Sequence, residues 1–145
     1  MLREFNAETD SELIVAGEVE AYSKSYPGTP MPTSMVTSRI LSIEQGHTAC
    51  KVLDESGPKG YVVYSKKLHQ QQIHVYIASI YLDPSARGKG KLEAMLDSLL
   101  EPSAACTIEL DVSLSNRSAI NAYESLGFET QRLRMSKTYP PSEEV

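Results

Sequence analysis

The 145 residues contain no apolar run of the roughly eighteen needed to span a bilayer, so no membrane helix is expected. The opening Met1-Leu2-Arg3-Glu4 lacks the apolar stretch of a secretory signal, and a cytoplasmic location is the expectation. Cysteine is scarce: Cys50 and Cys106 stand far apart and form no metal-ligand spacing, which predicts buried, reduced thiols. His69 and His74 have no third ligand at a clear spacing, so no metal is expected. No Gly-x-Ser-x-Gly elbow occurs, which leaves serine acyl-enzyme chemistry without its usual turn. There is no Walker A loop, and Glu93 interrupts any Gly-x-Gly-x-x-Gly dinucleotide fingerprint. Excess positive charge is lacking too. Fourteen Lys and Arg against nineteen Asp and Glu give a net charge of −5, which argues against general nucleic-acid binding and suits an amine-bearing substrate.

What is present centres on residues 80–100. Ile80-Tyr81-Leu82 closes a β-branched and aromatic run at Asp83-Pro84, as a strand should. Arg87-Gly88-Lys89-Gly90-Lys91 follows. Leu92, Met95, Leu96, Leu99 and Leu100 then recur with helical period. A strand, a basic glycine loop and a helix turn free backbone N–H groups toward one spot that favours an anion, most simply a phosphate. A basic glycine turn alone is as readily a solvated connection.

In chain order, residues 2–5 read as a short strand. Thr9-x-x-Glu12 has capping-box form, and Val15, Val19, Tyr22 and Tyr26 mark the stripe of a first helix. Residues 27–32 alternate proline and glycine and must loop. Thr33 caps a second helix with Val36, Ile40 and Ile43 on one side and Gly46 beyond its end. The period then changes to two. Strands are expected over 48–53, 61–65 and 72–82, with a polar turn over 66–71. Another follows over 107–114, then a helix over 116–126 stopped by Gly127, and a last strand or two over 128–139. Residues 132–137 alternate charge with bulk, as in a half-exposed strand. Residues 1–139 read as a single domain and 140–145 as a polar, disordered tail. The order β-α-α-β-β-β-α-β-α-β predicts an α/β (α+β) domain of mixed strand direction, the helix after the glycine loop crossing over to a parallel strand.

A second motif gives the loop its meaning. Asn116-Arg117-Ser118-Ala119-Ile120-Asn121-Ala122-Tyr123-Glu124-Ser125-Leu126-Gly127-Phe128 follows Arg87-Gly88-Lys89-Gly90 in order and separation. Together they resemble the GNAT superfamily of acyl-CoA-dependent N-acetyltransferases, over about residues 47–136. The resemblance implies a mostly antiparallel sheet splayed between strands 4 and 5, flanked by about four helices. It implies acetyl-CoA as co-substrate, an amine acceptor of unspecified kind, and no metal. Homodimers are common in the family, though no residue here signals one. A non-catalytic acyl-CoA-binding sensor on the same fold is the alternative.

The resemblance also implies roles. Arg87, Gly88, Lys89, Gly90 and Lys91 match the loop that holds the coenzyme pyrophosphate. Leu92 stands where the family carries Gly or Ala. Ile80, Tyr81 and Leu82 match the strand that pairs with the pantetheine arm, and Asn116 a residue near the splay. Tyr123 matches the general acid. A phenol, with an ordinary pKa of about 10, is protonated at neutral pH and can give its proton to the departing thiolate. The plainer reading is a core tyrosine. For the proton that the incoming ammonium must lose, Asp111 is one candidate, and Tyr76, His74 and Ser79 are others. A solvent chain without a fixed base is also open.

Overall fold

The structure is a computed structural model and describes residues 1–142. Its five strands form one sheet in the order β1-β2-β3-β4-β5. They are β1 (Leu2–Glu4), β2 (Ala49–Asp54), β3 (Pro58–His69), β4 (Gln72–Leu82) and β5 (Ala105–Leu110). The first three pairings of neighbours are antiparallel and β4–β5 is parallel. The helices are α1 (Ala7–Ser25), α2 (Thr33–Glu44), α3 (Lys91–Asp97) and α4 (Arg117–Ser125). This is the mixed, mostly antiparallel α/β sheet with four flanking helices expected above. No helix among the described residues is long and apolar enough to cross a membrane.

The sheet has two faces with different chemistry. One buries Leu53, Val62, Tyr64, Val75 and Ile77 against Met95, Leu96 and Leu99, an all-hydrophobic cluster. The other buries Val52, Tyr61 and Val63 against Leu13 and Ile14 of α1, with Val36, Ile40 and Ile43 of α2 packed beside them. Tyr64 pairs with Ile77 and Val63 with Ser79, which leaves Ala78 as an extra residue in β4. That bulge shifts the alternation by one, and it keeps Ile80 and Leu82 on the same face as Val75 and Ile77.

Several sequence expectations are corrected. Helix α1 begins at Ala7, two residues before Thr9. Asn6 caps it, accepting from the Glu8 N–H at 2.9 Å, while Asp10 reaches back to the Asn6 N–H at 2.8 Å. Its buried face is Asp10, Leu13, Ile14, Gly17 and Glu18; Val15, Val19 and Tyr26 face water. The true face carries two carboxylates, so apolar periodicity points to the wrong side. Thr33 is the first residue of α2, and Pro32 precedes it as the cap position. Strand β3 runs to His69, because its polar outer half pairs with β4 from His69↔Gln72 onward, and only Gln70-Gln71 turn, both at positive φ. Helix α3 stops at Asp97, so Leu99 is buried beyond its end and Leu100 is exposed. Strand β5 starts and ends earlier than expected. Cys50 is buried, but Cys106 only partly. Burial, helped by Asp10, pushes the Cys50 thiol up to about 12.

No strand follows α4 among the described residues: 129–142 are irregular and exposed. Leu133 and Met135 alternate with Arg132 and Arg134 but cover nothing. Alternation is a local pattern, and a strand also needs a partner edge. The tail expected over 140–145 continues into residues 143–145, outside the described residues.

Candidate active site

The site begins where β4 and β5 part. Their last pair is Ile77↔Leu110. Beyond it, β4 keeps its partner on one side only, through Val62↔Ile80, Tyr61↔Tyr81 and Gly60↔Leu82. The Asp83 N–H donates to the Lys59 carbonyl at 2.7 Å, so in the antiparallel pattern Asp83 and Tyr81 face β3. Ile80 and Leu82 therefore turn their backbone groups to the open edge.

The chain leaves β4 through a short 3-10 turn, Pro84–Ala86, fastened by Asp83, whose carboxylate accepts from the Ser85 N–H and hydroxyl. Gly88 and Gly90 then adopt φ of 76° and 73°, the left-handed region that glycine enters without strain. Among the described residues, the N–H groups of residues 88–93 meet no acceptor. This row of free donors is suited to an oxyanion.

The loop cations differ in their freedom. Arg87 donates from Nε to the Leu82 carbonyl at 2.9 Å and from Nη2 to both carboxylate oxygens of Glu20, at 3.0 and 2.8 Å. Its guanidinium also lies over the Tyr81 ring. Lys91 pairs with Glu55 in the β2–β3 turn, and the Lys91 bond holds the Glu55 carboxyl below its ordinary range. Lys89 makes no ion pair at bonding distance among the described residues.

Helix α4 supplies the other wall. Asn116 caps it, accepting from the Ala119 N–H at 3.3 Å. Ala119, Ile120 and Tyr123 follow on one face, and Gly127 ends the helix at φ 97°. The Tyr123 ring meets Phe128 edge-on at 5.5 Å. Its hydroxyl has no hydrogen-bond partner among the described residues, and burial pushes its pKa up to about 12.

These parts enclose a cavity of about 490 Å³. Ile80, Tyr81, Leu82, Arg87, Gly88, Gly90, Lys91, Leu92, Asn116 and Tyr123 all line it. Lys89 does not, and neither does Asp111. Asp111 directly follows β5 at the split, and its Oδ2 accepts from the Tyr76 hydroxyl at 2.7 Å. That bond, with burial, raises the Tyr76 pKa. Ser79 shares a hydrogen bond with the Tyr61 hydroxyl at 3.1 Å. Leu92 packs partly into the apolar core while also lining the cavity.

One wall escaped the sequence reading: Gly17, Glu20, Ala21 and Lys24 of α1. Their spacing is itself helical, and two small residues within it were the available signal. A Cβ on Gly17 would overlap the Tyr61 ring and hydroxyl, so glycine is what lets α1 lie close on β3 at the cavity.

Comparisons with known proteins agree with this architecture. The chain is 34% identical over 83 residues, 57% of its length, to the uncharacterized protein ML0378 of Mycobacterium leprae, and spans 23% of the length of that protein. A crystallised variant of the BH1408 protein from Bacillus halodurans superposes with a TM-score of 0.72 at 25% identity, covering 97% of this chain and 99% of the other. The structure of AAC(6')-Iy in complex with the bisubstrate analog CoA-S-monomethyl-acetylneamine has the same fold, with a TM-score of 0.65 at 18% identity and coverage of 97% and 98%. The model of the acetyltransferase (GNAT) family matches residues 14–128, from α1 through the cavity to Phe128. By that match the chain belongs to the acetyltransferase (GNAT) family.

Proposed function

We propose that this protein moves an acetyl group from acetyl-CoA to a primary amine by direct attack in a ternary complex. One observation carries the reading. Arg87, Gly88, Gly90, Lys91 and Leu92 of the donor-rich loop and the Tyr123 phenol, distant in sequence, face one cavity at the split between β4 and β5. Its volume of about 490 Å³ suits a small-molecule site. The coenzyme A portion of the analogue bound by AAC(6')-Iy, on the same fold, is consistent with it.

The residues divide the work. The free N–H groups of 88–93, with Arg87, Lys89 and Lys91, hold the diphosphate. The outward backbone groups of Ile80 and Leu82 pair with the pantetheine amides as an added strand would, Asn116 standing opposite. The amine nitrogen attacks the thioester carbonyl carbon, the C–S bond breaks, and the sulfur takes the Tyr123 proton. The ammonium form of the acceptor first loses a proton, and Asp111, at the mouth of the split with Tyr76, is the group to receive it.

The test is thiol release from acetyl-CoA across a panel of amines, amino acids and peptides. Turnover with one class supports the reading. Silence across the panel together with micromolar coenzyme A binding by calorimetry means the non-catalytic acyl-CoA sensor instead. With an acceptor in hand, Asp111→Asn should abolish the rise of rate with pH that reports the base; an unchanged profile removes Asp111 from that role.

A further inference from the structure

Two of the three cations expected to bind the diphosphate, Arg87 and Lys91, are already engaged. Arg87 reaches across the cavity from the loop to α1, where its Nη2 holds Glu20, while its Nε occupies the Leu82 carbonyl on the open edge of β4. Lys91 is held by Glu55. Glu20 itself lines the cavity. A carboxylate on the wall of an anion site opposes the anion and competes for the cation that binds it. Arg87 thus covers two places a coenzyme needs: a phosphate-binding guanidinium and an acceptor for the pantetheine arm.

We propose that Glu20 and Glu55 are counter-ion latches on the coenzyme loop. Each carboxylate holds a cation that the diphosphate must capture, and each thereby lowers coenzyme affinity. The Glu20 latch ties the loop to α1 and the Glu55 latch ties it to the β2–β3 turn, so coenzyme entry frees the loop from both. This rests on the assignment of the loop as the diphosphate site. It adds two residues that the glycine-loop and Asn116–Phe128 motifs do not contain.

Calorimetric titration of the full chain with coenzyme A and with inorganic pyrophosphate tests it, using Glu20→Gln, Glu55→Gln and the double variant. Glu8→Gln serves as the control. It removes the same charge about 18 Å from Glu20 along α1. Each latch variant should bind both probes about three- to tenfold tighter than the parent, and Glu8→Gln no tighter. The gain should shrink in high salt, because ionic screening weakens the competing pair. The ligand-free melting temperature should not rise, since an ion pair has been lost. A purely structural role for these glutamates would weaken binding along with stability. If the parent binds coenzyme A and the latch variants bind it equally or less well, the latch is wrong and the coenzyme site stands. If no form binds either probe at millimolar concentration, both fall. Binding by the variants alone supports the latch in its strongest form.

Discussion

The two faces of the sheet hold their helices by different means. The α3 face is mainly hydrocarbon: Met95 and Leu99 are fully buried among Val62, Val75 and Ile77, and charge enters at its edge, where Lys51 Nζ donates to the Ser98 carbonyl at the end of α3 at 2.7 Å. The α1 face is laced with charge. Asp10, fully buried, accepts from both terminal nitrogens of Arg3 at 2.8 Å, from the Asn6 N–H and from Thr9; Arg3 Nε holds Asp54 across the β1–β2 pair. Glu18 binds Arg39 Nε at 2.8 Å, and Arg39 extends to the carbonyl of the bulged Ala78. Hydrocarbon contacts tolerate sliding, whereas a bidentate ion pair fixes direction. The charged face is the one that sets α1, and therefore Gly17 and Glu20, against the cavity. The difference teaches that here the apolar face supplies adhesion and the charged face supplies alignment.

The sharpest way to break that contrast is to orphan the buried carboxylate. Arg3→Met should cost about 3–5 kcal/mol in urea unfolding, because it leaves Asp10 uncompensated. Replacing both partners, as Arg3→Met with Asp10→Leu, should recover much of the loss. A cost below about 1 kcal/mol for the single variant would mean the pair does not hold α1. Next comes the apolar face: Met95→Ala should cost about 2–4 kcal/mol by opening a cavity.

The two faces should also separate by pH. Burial alone would raise the Asp10 pKa, but Arg3, the Asn6 N–H and Thr9 outweigh it and hold the carboxyl below its ordinary range. A lowered folded value contributes stability in full above the unfolded pKa of about 3.9, and this is lost as pH falls through the folded value. Acid titration of stability should therefore show that slope in the parent and in Met95→Ala. It should be flattened in the variant lacking Arg3 and Asp10. Equal slopes in all three would erase the distinction.

A smaller energy separates alignment from chemistry. Tyr123→Phe should lower turnover at least about tenfold while leaving melting temperature and coenzyme affinity unchanged. Since burial pushes this phenol to about 12, the parent should show no loss of rate from its ionisation up to pH 10. Unchanged turnover in Tyr123→Phe would reduce the residue to packing against Phe128.

The parts of the site that could be read from sequence are those encoded by neighbouring residues. The glycine loop, and the Asn116, Ala119, Ile120 and Tyr123 face of α4, lie where local spacing puts them. So does β4, whose bounds of Gln72–Leu82 match the expectation. The splay came only through the family resemblance, because it depends on where β5 stops beside β4. Glu20 and Glu55 escaped notice because ion pairs with Arg87 and Lys91 join residues far apart in the chain. The final strand was misread for the same reason in reverse: residues 132–137 have the pattern of a strand but no edge to pair with.

Helix α1 offers the finest version of the contrast, within one element. Val15, Val19 and Tyr22, with Tyr26 at its C-terminal cap, form an apolar stripe, yet Val19 is 46% exposed and the buried face holds Asp10 and Glu18 beside Leu13 and Ile14. If alignment by charge is the rule on this face, the outer stripe carries little of the fold. Val19→Ser should then change unfolding free energy by no more than about 0.5 kcal/mol, as for other surface sites. Leu13→Ala, six residues earlier on the inner face, should cost about 2–3 kcal/mol. Chemical denaturation of the two variants side by side gives the answer. A costly Val19→Ser would place the outer stripe in a buried contact and return α1 to the ordinary amphipathic logic that its sequence first suggests.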